Sequence, residues 1–498
     1  MLYGDSLLPP EWVCPEWAEE GIVRGKHGRG AVRRAVALLA VGAAGLIGLP
    51  GSAAAWPLSA PGDINGDGYR DVVLPAPGAT VAGERGAGAV VVLYGSSTGV
   101  SAKRRAVVTQ NSTGVPGAAE ADDRFGFSTA LADLDRDGYT DLVVGTPGED
   151  RGTARDAGMV SVLWGSASGL SAGVNLPTPV ETGRGAGRDV AAFFGPSDVQ
   201  VLIANYNEAT RLTGPFTRSG GVGRSVRHDE AGWMGTVELG DLNGDDSADR
   251  VIVTGRAGGH SGGLVYVNSS LADFQRTRMA AGDGLTTAVG DVNGDGYGDL
   301  VVGDPDEPTA EGPTGHLGGA VHVWFGSARG VDHGAQPVTV HQDTAGVPGV
   351  GERHDRFGAA VAVADLDGDG VGDIVAGVPG EGLGDIGGAG SAVVVPGRRT
   401  GGLGRDAYAF HQGTAGVPGG SESGDFFGNT VGAGDVDGDG RPDLMIGAAG
   451  ENDTQGAVWA IPGGTTRPLY SSGVMLTTAA LGLPTQHDGT LLGGDMLW

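Results

Sequence analysis

Cysteine is nearly missing: Cys14 is the only one in 498 residues. A lone thiol makes no intrachain disulfide and no zinc cluster, so neither can staple the fold. Aromatic residues are sparse at 6%. Positive charge is scarce too, with 32 Lys and Arg against 60 Asp and Glu and a formal net charge of −28. A chain that gripped nucleic acid through its phosphates would need the opposite balance. The clearest apolar run, Ala35 to Leu49, is about 15 residues and too short to span a bilayer.

That run follows a basic stretch (Arg24, Lys26, Arg29, Arg33, Arg34) and precedes Ala53-Ala54-Ala55. A basic start, a short apolar core and a small-residue site read as an export signal cleaved before Trp56. Arg33-Arg34 leaves twin-arginine export open, and residues 1–22 point to a true start nearer Val23. The expected organisation is an N-terminal extension and signal peptide over 1–55 and one domain over 56–498, released outside the cell.

Glycine is abundant, with 98 residues. Collagen would show a strict Gly-X-Y period and a disordered linker would lack apolar residues. Here 40% of the chain is apolar. It comes in short runs bounded by Gly and Pro, the pattern of strands and tight turns.

A nonapeptide, Asp-x-(Asp/Asn)-x-Asp-(Gly/Asp)-x-x-Asp, starts at Asp63, Asp133, Asp241, Asp291, Asp365 and Asp435, and each copy runs into an apolar strand such as Leu142-Val143-Val144. The starts are 70, 108, 50, 74 and 70 residues apart. The gap of 108 suits two units, and a hairpin without the acidic loop lies inside it: Val190–Phe194, a turn at 195–198, then Val199–Ile203. Seven units result. Small antiparallel sheets bury both faces only by stacking radially, so the reading is all-β, a seven-bladed β-propeller with a degenerate third blade. The first unit lacks room for an inner strand, and Leu492–Trp498 looks like one, so the C-terminal strand should close the first blade.

Phe125-Gly126, Phe357-Gly358 and Phe427-Gly428 stand eight residues before their acidic loops, and Gly145-Thr146-Pro147 and Gly377-Val378-Pro379 follow. With the loops, these residues resemble the FG-GAP repeats of the integrin α-subunit propeller and of secreted bacterial proteins. The resemblance implies a propeller with ligand and partner contacts on the face opposite the acidic loops. It weakens at Trp233-Met234 and Asp283-Gly284, which stand in for Phe-Gly, and at Asp246, which replaces a loop glycine.

Calcium takes hard oxygens from carboxylates and carbonyls. Positions 1, 3, 5, 7 and 9 of each loop supply them: Asp63, Asn65, Asp67, Tyr69 and Asp71; Asp133, Asp135, Asp137, Tyr139 and Asp141; Asp241, Asn243, Asp245, Ser247 and Asp249; Asp291, Asn293, Asp295, Tyr297 and Asp299; Asp365, Asp367, Asp369, Val371 and Asp373; Asp435, Asp437, Asp439, Arg441 and Asp443. Position 7 acts through its backbone carbonyl. An EF-hand would need an acid at position 12, where this chain has Leu74, Val144, Ile252, Val302, Ala376 or Ile446. About five to six structural Ca²⁺ ions are expected, with the blade 4 loop the least regular.

Gly95-Ser96-Ser97-Thr98-Gly99 matches the G-x-S-x-G of hydrolases. The same turn recurs at 165–169 and 326–330 without the central serine, so it reads as an ordinary turn. His341, His354 and His411 lie at repeat joints and read as solvated turn residues. Polar candidates for ligand contact on the opposite face are Glu149, Asp150, Arg151, Glu352, Arg353 and His354. The expected function is a single-chain binding or adhesion module for an extracellular polysaccharide, wall polymer or protein. A secreted hydrolase or lyase on a propeller scaffold and a purely structural extracellular protein are the alternatives.

Overall fold

In a computed structural model of the protein, the described residues are 62–229, 234–268, 277–310, 312–483, 489–490 and 492–493. The segment read as an export signal, Trp233 and residues 494–498 of the strand expected at 492–498 lie outside them. The described residues all belong to the unit formed by residues 53–498.

That unit holds seven antiparallel sheets, one per blade. Blade 2 shows the pattern: Ser128–Ala132, Asp141–Thr146, Met159–Leu163 and Gly173–Asn175, each hydrogen-bonded to the next. In blades 2, 3, 5, 6 and 7 the second strands are buried end to end, as in Asp141–Thr146, Asp299–Asp304 and Asp373–Val378. A sheet covered on both faces selects a continuous apolar run in place of alternation. Blade 3 is complete despite its lost loop, with strands Asp189–Phe194, Val199–Ala204, Glu208–Thr213 and Arg224–Asp229.

The Phe-Gly pairs stitch neighbouring blades. Phe125 is fully buried and packs with Val90 and Val108 of blade 1 and with Leu142 and Val144 of blade 2. Phe427 does the same between blades 6 and 7, with its ring edge-on to Phe410 and Trp459 at 6.0 and 5.2 Å. The backbone comes so close that Gly88 and Gly390, both at positive φ, would place a Cβ 2.3 Å from the carbonyl oxygens of Phe125 and Phe427. In degenerate blade 3, Ala186-Gly187 takes this place: Gly158 pairs with Ala186, and Gly187 donates to Ala204 O.

Blade 1 has three described strands, Val72–Ala76, Ala89–Leu93 and Arg105–Val108. Leu492-Gly493 stands where its Phe-Gly belongs. Leu492 is fully buried among Val458 and Leu476 of blade 7 and Val72 and Leu74 of blade 1. Gly493 N donates to Pro75 O at 2.8 Å, the register in which Gly358 N donates to Gly377 O. The two ends of the repeat array meet in one core.

Candidate functional site

The two ends of the blades differ. One carries the acidic loops between first and second strands. In blade 1, Asp63 accepts from the N–H groups of Gly66, Asp67 and Gly68, Asn65 from Asp67, and Asp67 from Tyr69. These bonds turn the side chains of positions 1, 3 and 5 inward. Asp71, at position 9, is fully buried and accepts from Ile64 N and Gly95 N. The blade 4 loop repeats the pattern, with Asp246 in the left-handed region at φ 63 and its N–H donating to Asp241. The missing glycine is tolerated because an aspartate, like asparagine, adopts this conformation more readily than most residues.

Burial raises the position 9 carboxyls, to about 6 in Asp71 and Asp443 and about 7 in Asp141, Asp299 and Asp373; neighbouring loop aspartates push the same way. A carboxylate buried beside like charges is costly unless a cation joins it. Three loops bring three carboxylates within 4.8 Å of one another: Asp133, Asp135 and Asp141; Asp365, Asp367 and Asp373; Asp435, Asp437 and Asp443. In the other three, position 3 is Asn. All donors are oxygens, so the set fits calcium better than a softer metal. The blade 2 loop receives a partial counter-ion from blade 3, since Arg218 meets Asp135 and Asp137 at 2.7 and 2.5 Å.

The loops also touch each other. Position 8 donates to the position 1 carbonyl of the preceding loop in Thr140→Asp63, Gly298→Asp241 and Gly372→Asp291. The turn after each third strand adds Ser96→Val436, Ser166→Ile64, Ser327→Leu242 and Arg398→Val292. Blades 7, 1 and 2 form one linked arc and blades 4, 5 and 6 another. Across blade 3, which has no acidic loop, side chains carry the link instead: Arg136 of the blade 2 loop donates to Gly195 O, and Ala248 N, at position 8 of blade 4, donates to Asp198. At position 8 of blade 7, Pro442 has no N–H to give.

The G-x-S-x-G turn belongs to this machinery. Gly95 donates to Asp71, and its Cβ would lie 2.2 Å from Arg70 O. Ser96 Oγ closes the turn on Gly99 O, as Ser166 and Ser327 do in their copies, and Ser97 is exposed. No helix follows, as a nucleophile elbow requires.

The opposite end varies from blade to blade. Of the polar candidates there, Glu149 is half-buried and not exposed, because Gln110 Nε2 donates to it at 2.5 Å; Gln342–Glu381 and Gln412–Glu451 repeat the pair. Burial pushes Glu149 up to about 7. Asp150 accepts from Asp156 N, and Arg151 donates to Thr178 Oγ1. These three belong to blade 2. Glu352, Arg353 and His354 are exposed on the connection from blade 5 to blade 6, where Glu307 receives Arg353 at 3.3 Å and the His354 N–H.

Arg353 and His354 line a cleft of about 590 Å³ with Arg256, His260, Ser261, Asp306, Glu307 and Arg356, drawn from blades 4 and 5 and the blade 5–6 connection. Arg256 forms a two-pronged ion pair with Asp306. Beneath it lies a buried polar cluster. Asp283 occupies the Phe position of blade 5, is buried, and accepts from Gly262 N, Ser261 N and Thr314 Oγ1. Ser261 Oγ also donates to Asp304 at 2.5 Å, and burial raises Asp304 to about 7, helped by Asp283. His260 Nδ1 lies 3.4 Å from Asp283 and its Nε2 receives Arg278, so neither ring nitrogen addresses Ser261. The cleft offers donors and acceptors side by side, suited to holding a polar ligand.

Among known proteins, the FG-GAP repeat model matches residues 55–93, 125–163, 284–324, 357–395 and 427–461, the blades other than 3 and 4. Integrin alpha-5 of Xenopus laevis is 31% identical over 235 residues, 46% of this chain and 21% of that protein. Human integrin alpha-IIb is 32% identical over 228 residues, 44% of this chain and 20% of that one. Phosphatidylinositol-glycan-specific phospholipase D of Mus musculus is 34% identical over 115 residues, 23% of this chain and 13% of the enzyme. The matches thus span about a fifth or less of each relative's length.

Proposed function

The chain is an FG-GAP propeller of the integrin-α-like kind, and on that premise we propose that it is a secreted, calcium-binding module that holds an extracellular polymer in the cleft beside blade 5. The observation that carries this reading is the cleft itself. It lies on the variable end, is lined by Arg256, Arg353 and Arg356 among carboxylates, and departs from the repeat pattern at Asp283 and Asp304. Mixed donors and acceptors of this kind suit an acidic polysaccharide or wall polymer, whose hydroxyls and carboxylates need both.

Calcium would be held by the loop residues at positions 1, 3, 5 and 9, and by the position 7 carbonyl. Its chemistry there is charge neutralisation, which makes burial of the position 9 carboxylate favourable. The loops would then fix the blades, and the blades would fix the cleft. Among the described residues no helix is long and apolar enough to cross a membrane. The apolar segment at 35–49 supports export.

The test mixes the full chain in millimolar calcium with insoluble polysaccharides and wall material, and follows co-sedimentation and released product by mass spectrometry. Retention without product, weakened by Arg353→Ala and His354→Ala, is expected. Retention that both variants leave intact would move the ligand away from this cleft. Released product would favour the hydrolase or lyase alternative.

A further inference from the structure

Blade 5 carries a second cluster that the acidic loops and the cleft do not use. His316 sits on the loop before strand Ala320–Trp324, and His341 and Asp343 follow strand Val338–Val340. One ligand atom from each of the three lies within 4.8 Å of the others. The two imidazoles stack at 3.6 Å between centroids with planes 19° apart, so one ring must turn out of the stack for both to bind one ion in plane.

The surroundings prepare the ligand atoms. His316 Nδ1 meets Leu317 O at 2.8 Å, which puts the proton there and leaves Nε2 with its lone pair. That Nε2 lies 3.9 Å from Asp343 Oδ2. Asp343 Oδ1 accepts from Gly351 N, so one carboxylate oxygen is tethered and the other faces the histidines. His341 Nδ1 is buried and has no hydrogen-bond partner. His316 and Asp343 are oriented as metal-binding groups are, by a bond through the atom that does not ligate, whereas His341 Nδ1 has none. The backbone holds the two loops together: a Cβ on Gly351 would stand 2.5 Å from Leu317 O and 3.1 Å from Asp343 Oδ2.

The sister position in blade 6 shows what an ordinary copy does. His411 keeps the histidine, but Gly413 replaces the aspartate, and its N–H satisfies His411 Nδ1 at 3.0 Å. Blade 5 has exchanged that backbone donor for a carboxylate and has added a second histidine from the facing loop.

We infer that His316, His341 and Asp343 form a binding site for a divalent transition metal, Zn²⁺ being the best match, separate from the acidic loops. Two imidazoles and one carboxylate exclude calcium, which takes oxygen ligands, and suit zinc with one position left for water or a ligand oxygen. His316 and Asp343 are part-exposed, so the open position faces solvent. The metal would tie the 305–319 loop to the 341–351 segment, both of which run on into the cleft wall. A group on the bound polymer could complete its coordination.

The test is calorimetry with Zn²⁺, and visible absorption with Co²⁺, on the untagged full chain in millimolar Ca²⁺, which occupies the acidic loops. One Zn²⁺ per chain and the intense bands of four-coordinate Co²⁺ are expected. His316→Gln and Asp343→Asn should each weaken Zn²⁺ by more than about tenfold, since loss of even an outer-shell partner costs 10–100-fold. Their melting curves in calcium without zinc should match the parent, which separates ligand loss from misfolding. No Zn²⁺ binding at micromolar concentration, or equal binding by a His316→Gln/His341→Gln double variant, overturns the site. Polymer retention by these variants without zinc keeps this result distinct from the cleft proposal.

Discussion

The acidic-loop end and the opposite end of the same blades follow different rules. At the first, six loops repeat one hydrogen-bond pattern, even where Asp246 replaces glycine. At the second, a Gln–Glu lock recurs at Gln110–Glu149, Gln342–Glu381 and Gln412–Glu451, while blade 5 has buried aspartates, a cleft and a histidine stack. Repetition marks what every blade needs in order to stand beside its neighbours. Departure from repetition marks what the whole ring does once.

Chelation should break this contrast hardest. A site loaded at 100 times its Kd adds about 2.7 kcal/mol to the folded state, so emptying several with EDTA should lower the melting temperature by many degrees. An unchanged melt would leave the loops as plain acidic turns. Next comes Phe357→Ala. Phe357 is fully buried between blades 5 and 6, and its loss should cost about 3–5 kcal/mol in denaturant unfolding. Arg353→Ala, at the variable end, should leave that unfolding curve in place. Leu492→Ala should cost about 2–5 kcal/mol if the chain end closes the ring, and almost nothing if it does not.

Smaller effects sharpen the comparison. Arg218→Ala should tighten calcium at the blade 2 loop in a titration, because it frees Asp135 and Asp137; the ion pair is half-exposed, so stability should change by no more than about 1 kcal/mol. The inner strands supply an effect that appears only as pH changes. Burial raises Glu238 from 4.5 to about 8, with Asp189, itself at about 7, adding repulsion. The folded state therefore holds more protons than the unfolded one between these values. Stability from this pair is greatest in acid and falls as pH rises through about 8. Glu238→Gln should flatten the pH dependence of unfolding between about pH 5 and 8, and an unaltered slope would place the titration elsewhere.

Much of this was legible in the sequence because the repeat is carried by residues with few substitutes. Aspartates at fixed spacing announced the loops, and a gap of 108 residues announced a hidden blade. The Ala186-Gly187 joint was not legible, since only its glycine survives from the Phe-Gly pair. Asp283 stood out as an odd residue at a Phe position. Its partners Ser261, Asp304 and Thr314 are 21 to 31 residues away and meet it only through the fold. Glu149 read as an exposed contact residue because its partner, Gln110, is 39 residues upstream. His341 and His411 occupy the same repeat position, and sequence alone could not show that one ring is satisfied by Gly413 while the other stacks on His316.

Among the described residues, backbone bonds between neighbouring loops run in two arcs, blades 7-1-2 and 4-5-6, which only side-chain bonds of Arg136 and Asp198 join across blade 3, and not around a closed backbone hoop. A hoop would share every disturbance among all its members. Two clasps do not. A cation seated in one loop would steady two others, and its departure would loosen two others, while the far arc kept its shape. Partial loss of metal, in a dilute or chelating environment, would therefore leave the molecule half stiff, with its give concentrated at blade 3 and at the joint marked by Pro442. The cleft and the histidine pair both draw on the 4-5-6 clasp.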